Sequence, residues 1–264
     1  MKAEAVAERT ANPVLAIPAH AMGAAMMAAS DVGLDAFEFY VLGRGGTMGD
    51  DVEADVITAA ISWCEPSWVR AHYESGLEKT TMRAATHAWA QKVDSWADTG
   101  LSEDLPLERL AELLGRCIQS ATSVGAPIFA GWRRLPEPES PSSLVMHRLY
   151  AIRELRAGLH AGAVRAAALL PLEALLIRTP ALASGWGWPD PQPQVSHLAD
   201  RWLLAEEGTN RALGRMFECF SETEGSELCD GIDAVLEHVG VLWWFDEGSP
   251  TIRFDPQPTD SAAS

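Results

Sequence analysis

The chain has 264 residues and a formal charge of −17, from 37 acidic side chains against 20 basic ones. That balance argues against nucleic acid as the main partner, because phosphate contacts need clustered Lys and Arg. It equally disfavours an anionic membrane surface. The length permits one large domain or two small ones, and 47% hydrophobic content is enough for a real core.

Cys64, Cys117, Cys219 and Cys229 form no CxxC or CxxH spacing, so neither a zinc site nor a redox motif is signalled. Buried free thiols in a reducing cytosol are the simplest reading. Val14 to Ala29 is apolar and rich in small residues, but Glu4, Glu8, Pro18 and His20 break the pattern of a signal peptide. No uninterrupted apolar stretch is long enough to span a bilayer. A cytoplasmic location is expected.

Ala, Leu, Glu and Arg dominate, and the apolar spacing is three or four, so most of the chain reads as helix. A short aromatic helix is predicted over Asp35 to Arg44 and stops at Gly45-Gly46. Thr47 to Asp51 caps a helix running to Trp63, and Pro66 opens another through Leu77. Thr81 to Trp96 continues the pattern to Gly100, and Leu107 to Ser123 is clearly amphipathic. Pro136 to Pro141 reads as a linker, which divides the chain into residues 1–135 and 142–254. The longest helical run follows, from Ser143 to Leu170, stopped by Pro171. After a Trp-Gly-Pro loop, Ser184 to Pro193, helices are predicted over Val195 to Leu204, Asn210 to Ser221 and Glu227 to His238. Val241 to Phe245, a turn at Asp246 to Pro250 and Thr251 to Phe254 read as a β-hairpin. Residues 255–264 read as a disordered tail.

The sharpest chemical feature lies in the long helix. Arg153, Arg156 and His160 are spaced i, i+3, i+7 and share one face. His147, Tyr150 and Glu154 share an adjacent one. Alanine and leucine surround them, and buried guanidinium or imidazole groups must be paired. Two solutions are open: internal pairing with Glu38, Glu53 or Asp55, or a pocket in which the arginines receive a carboxylate or phosphate and His160 acts as general acid or base. Arg44 follows the aromatic helix and precedes two glycines, yet a helix C-terminus is the wrong end for cradling phosphate. A C-cap glycine with an arginine near the helix end is the alternative.

His72 and His87 sit on amphipathic helices, and His20 follows Pro18. No HxxxH or HExxH spacing supports a metal site. No cofactor motif is present, and a haem held by a single histidine stays open. There is no GxSxG, Walker A or catalytic Cys-His signature. Ten tryptophans are spread along the chain. Trp186, in the Pro-rich loop, and Tyr40, in the aromatic helix, are the aromatic candidates for a ligand cavity.

Phe39 to Gly49 (FYVLGRGGTMG), Val52 to Ala60 and Pro66-Ser67-Trp68-Val69 resemble a set of actinobacterial helix-turn-helix proteins. Leu149 to Val164 (LYAIRELRAGLHAGAV) is similar to that family's second motif, an Arg-Glu-x-Arg stretch ending in a histidine. Trp202 to Leu213 (WLLAEEGTNRAL) is similar to its third. Members are often labelled MarR-like by fold. The resemblance implies a mainly α fold of two winged-helix-like helical halves, an actinobacterial cytoplasm and a natural-product pathway. It places Arg44, Arg153, Glu154, Arg156 and His160 on motif positions, and His20 beside a histidine near the family's N-terminus. The chain departs from the family at Ala157-Gly158-Leu159, where Gly-Asp-Gly usually precedes the histidine.

Three functions follow as expectations. The first is a small-molecule-binding protein or a cofactor-independent enzyme of lyase, cyclase or isomerase type. In it His160 would move the proton, Arg153, Arg156 or Arg44 would hold an anionic or aromatic ligand, and Glu154 would orient one of them. The second is a MarR-like, ligand-responsive DNA-binding regulator. The third is an accessory subunit with a basic protein partner. A small organic ligand is the expected partner, and a homodimer is allowed.

Overall fold

The structure, a computed structural model, describes residues 1–240. Among them every regular element is helical. The N-terminal part runs α1 (Ala3–Thr10), α2 (Pro13–Met27), α3 (Ala36–Gly45), α4 (Ala54–Ile61), α5 (Pro66–Leu77) and α6 (Met82–Gly100). Then come α7 (Leu107–Ser120), α8 (Pro127–Trp132), α9 (Pro141–Ala166), α10 (Pro171–Arg178), α11 (Ala199–Phe217) and α12 (Glu222–Val239).

Local chemistry sets these boundaries. Asp35 caps α3 by accepting from the backbone of Phe37 and Glu38, while Glu38 accepts from the Asp35 backbone in return. Ser221 and Glu224 close α12 in the same reciprocal way. Glu65 caps α5 ahead of Pro66, and Ser140 caps α9 ahead of Pro141, prolines that sit where the missing N–H costs nothing.

The expected fold class, two winged-helix-like halves with one short C-terminal β-hairpin, is corrected to all-α. No strand occurs among the described residues, so neither half carries a β wing there. The hairpin segment 241–254 and the tail 255–264 lie outside the described residues. The reason for the all-helical solution is visible around α9. Helices α2, α6, α7, α8 and α11 all pack on it, leaving no apolar face for a sheet to cover. Val145, Met146, Leu149, Tyr150, Ile152 and Leu155 fill the space between them. The core also crosses the Pro136–Pro141 break: α1 packs on α11 and α12, and one apolar cluster runs from Val6 to Val235.

Several boundaries differ from expectation: Glu53, not Thr47 to Asp51, precedes α4, α9 ends at Ala166 rather than Leu170, and α8 opens at Pro127 where the sequence predicts no helix. The predicted pair of helices Val195–Leu204 and Asn210–Ser221 is one helix, α11, because Gly208 lies where α11 approaches Ala163 of α9 rather than at a turn. Pro171 ends one run but also opens α10, which sequence spacing did not reveal. Gly43 marks the α3–α6 crossing: a Cβ there would lie 2.6 Å from Trp89 Cβ. Only glycine lets the buried Trp89 indole come so near the backbone.

Candidate functional site

Beneath the middle of α9 lies a buried ion-pair network. Glu154 accepts two bonds from Arg44, Nε to Oε1 at 3.1 Å and Nη2 to Oε2 at 2.8 Å, in a bidentate arrangement. Arg153 Nη1 donates to Glu154 Oε1 at 2.6 Å. Arg44 also donates to the Tyr40 hydroxyl. Burial alone would raise the Glu154 carboxyl, but the adjacent Arg44 and Arg153 hold it below the ordinary carboxylate range. Burial pushes the Tyr40 hydroxyl up to about 12, so it stays a neutral phenol. Trp89 Nε1 donates to the neighbouring Tyr150 hydroxyl at 3.0 Å, which fixes the far side of the network.

Above this network opens a cavity of about 380 Å³. That falls within the roughly 300–1,000 Å³ usual for small-molecule sites. Arg153, Arg156 and His160 all line it, as their shared helical face predicts. Arg178 joins them from the end of α10. Trp63 and Trp202 sandwich the His160 ring, with centroids 5.6 and 5.0 Å away.

Helix α11 supplies the counter-groups. Glu206 Oε2 accepts from Arg156 Nη2 at 2.8 Å, while its Oε1 lies 3.4 Å from His160 Nδ1 and 3.8 Å from Arg178 Nη1. The Thr209 hydroxyl donates to the Ala205 carbonyl at 2.7 Å, so it accepts from His160 Nδ1–H at 2.9 Å. This assigns the tautomer: the proton sits on Nδ1, and Nε2 carries a lone pair. Nε2 is buried and has no hydrogen-bond partner, and neither has Arg156 Nε. Unsatisfied buried polar atoms of this kind call for an explanation, and a ligand is one.

Burial depresses His160 to about 3; Arg156 and Arg178 push the same way, against the opposing Glu206. Burial likewise lowers Arg178 to about 10, helped by the like charge of Arg156. Glu206 would be raised by burial but is held low by Arg156 and the surrounding cations. Three guanidiniums thus face the cavity beside a neutral imidazole. Among the described residues, the carboxylates of Glu154 and Glu206 stand against Arg44 and these three, inside a protein of charge −17.

The structure divides the sequence candidates. Arg153, Arg156, His160, Tyr40 and Trp186 line the cavity. Arg44 and Glu154 lie behind its wall, in the buried pair. His20 is elsewhere: it stacks on Trp96 at 5.7 Å, and its Nε2 is 3.0 Å from the Gly240 carbonyl. The pairing considered with Glu38, Glu53 or Asp55 is corrected. Glu38 is taken by Lys79 and Ser75, Asp55 pairs with Arg70 at the surface, and Glu53 is exposed. His147 faces Asp94 on α6 at 3.0 Å, one full register away from the cavity. The sequence reading missed Glu206, Thr209, Arg178, Trp63 and Trp202 as site residues. Trp202, Glu206 and Thr209 are spaced i, i+4, i+7, a stripe that could have found the α11 wall.

A second cleft, of about 580 Å³, lies beyond Trp63, with Arg165 as its one charged lining residue. It holds nothing like the His160 cluster. Trp63 itself is set by the left-handed Ser62 (φ 68°), a strained position for a residue with a Cβ.

Among the described residues no single helix is long and apolar enough to cross a membrane. Nothing among curated proteins or solved structures matches the chain significantly. One family model does, described as a helix-turn-helix family and covering residues 5–241. With a match over nearly the whole sequence, the chain belongs to this helix-turn-helix family.

Proposed function

We propose that this protein binds a small organic anion in the α9–α11 cavity and uses His160 Nε2 to accept a proton from it. The carrying observation is the unpartnered, unprotonated Nε2 facing a cavity walled by Arg153, Arg156 and Arg178. Before the ligand arrives, the two nearby guanidiniums and burial keep His160 a poor base. An anion seated on those arginines offsets their charge and raises His160 toward neutrality, so the base becomes competent only when the site is filled. The imidazolium formed keeps its Nδ1–H on Thr209 and faces Glu206 Oε1 at 3.4 Å, which stabilises the charge. Returning that proton to another atom of the ligand is an isomerisation or cyclisation. Losing a leaving group after proton removal is an elimination. The natural-product, actinobacterial, cytoplasmic and MarR-like readings are supported by motif resemblance.

The test is native mass spectrometry of the purified protein, followed by Arg156→Met and His160→Gln variants offered whatever acid is found. Arg156→Met should lose the ligand; His160→Gln should keep the ligand and lose turnover. Retained binding in the arginine variant would overturn the assignment.

A DNA-binding regulator is the second reading, favoured by the family's description. The surface charges speak against it. Arg9, Arg70, Arg83, Arg109 and Arg211, all exposed, each rest on a carboxylate. A gel shift on the protein's own promoter that fades steeply with salt would restore this reading.

A further inference from the structure

Helix α2 is apolar on two faces: one is buried in the core, and the other packs on it only in part. Val14, Ile17, Ala21 and Ala25 are buried against neighbouring helices. Leu15, Ala19, Met22, Gly23 and Met26, spaced i, i+4, i+7, i+8, i+11, form a second stripe that faces the cavity and is only partly covered. A helix hydrophobic all round belongs in an interior, so the second face implies a cover. Gly23 points the same way. It sits inside a helix, where glycine is disfavoured against alanine, yet among the described residues no atom lies within 4 Å of where its Cβ would be. Packing does not require glycine there; it keeps the passage wide. Met22 and Met26 add thioether side chains that adapt to varied apolar shapes.

We propose that this stripe is the channel for the apolar body of the ligand, so that the site takes an elongated amphipathic acid. The inference rests on the anion-binding reading given above. Its carboxylate meets Arg153, Arg156 and Arg178, and its body lies along Met22, Gly23 and Met26 toward solvent. Charge complementarity selects this occupant: the stripe and the guanidiniums of Arg153, Arg156 and Arg178 line one cavity, whose walls are mostly apolar.

Calorimetric titration of the full-length protein with benzoate and 4-hexylbenzoate tests it. Each buried methylene strengthens binding about fourfold, so the hexyl acid should bind at least tenfold more tightly than benzoate. Gly23→Leu, at a position with room for a Cβ, narrows the channel and should erase that advantage while leaving benzoate affinity unchanged. Met26→Gln should reduce it as well, which guards against a misfolded first variant. Benzoate binding with no gain from the hexyl chain, or a gain that survives both variants, overturns the proposal and leaves the anion reading standing. In that case another cover, residues 241–264 or a second copy, takes the stripe. Binding of neither acid at millimolar concentration overturns both.

Discussion

Glu206→Gln probes the centre of the site, because it removes one negative charge and almost no volume. Glu206 Oε2 accepts from Arg156 Nη2 at 2.8 Å, and Oε1 lies 3.8 Å from Arg178 Nη1. The side chains of Glu206 and Arg156 are 14% and 1% exposed, so water screens neither. Removing one partner of a buried pair costs about 3–5 kcal/mol. The glutamine oxygen still accepts one bond, which favours the lower end, about 3 kcal/mol. At roughly 2–4 °C per kcal/mol for a chain of this size, Tm should fall by about 6–12 °C. The same substitution exposes the arginines to an anion from solution. Benzoate should therefore restore most of the lost Tm in Glu206→Gln and raise the parent protein much less. Glu207→Gln is the control, since its i, i+4 pair with Arg211 is solvent-exposed and should shift stability by at most about 0.5 kcal/mol. Thermal unfolding followed by circular dichroism, with chloride matched to benzoate, reads all of this. Equal losses in the two variants, or a loss that benzoate does not repair, would refute the reasoning.

Further outcomes follow from the same geometry. Gly23→Ala should stabilise by up to about 1 kcal/mol through helix propensity, whereas Gly43→Ala, which meets Trp89 at 2.6 Å, should destabilise by about 1–3 kcal/mol through overpacking; denaturant midpoints distinguish them. His160 ionises near 3 when folded against an ordinary 6.5. The unfolded chain thus takes up a proton that the folded one refuses, and this part of the stability is complete above pH 6.5 and lost as pH falls toward 3. Its slope reaches about 1.4 kcal/mol per pH unit, and the pH dependence of unfolding between 6 and 4 should be shallower in His160→Gln. Arg44→Met and Glu154→Leu should each destabilise by about 3–5 kcal/mol, while the double variant should cost clearly less than their sum; additivity would show that the pair is not coupled.

The site was half legible because one helix carries half of it. Arg153, Arg156 and His160 share a face in any α-helix, so their spacing was enough to bring them together. Arg153 meets Glu154 on the same helix, but Arg156 and His160 meet Glu206 and Thr209 of α11, and no local rule says which carboxylate meets which arginine. Glu206 lies 50 residues from Arg156, and only the packing of α11 on α9 joins them. Glu38, Glu53 and Asp55 looked eligible because they are acidic and near Arg44 in the chain, yet capping and surface pairing claim Glu38 and Asp55. The proline start at Pro66 was legible because it acts within one turn, whereas the cap expected at Thr47 to Asp51 falls instead at Glu53. Helix α10 was not legible, because the same Pro171 that stops one helix starts another. The expected wings came from a resemblance in motifs, not from residues among the first 240 that demand a strand.

The family's helix-turn-helix description and the charge of the chain pull in different directions, and α9 resolves how both can hold. A recognition helix reads DNA by presenting arginines outward to phosphates and base edges. Here the Arg-Glu-x-Arg motif sits on the buried part of α9, with Arg156 at 1% exposure and Glu154 at 2%. A phosphate backbone does not reach a guanidinium placed there, whereas the small acid proposed above would enter along the α2 face. A shared helical scaffold does not by itself fix function, which has to be argued from the site. The negative surface adds a further consequence. On the proposed reading an anionic ligand is repelled at long range and held inside beside Arg153 and Arg156, so its association should quicken as salt screens the exterior. A DNA-binding surface requires the opposite salt dependence, and stopped-flow quenching of the Trp63 and Trp202 fluorescence by 4-hexylbenzoate at two ionic strengths separates the two.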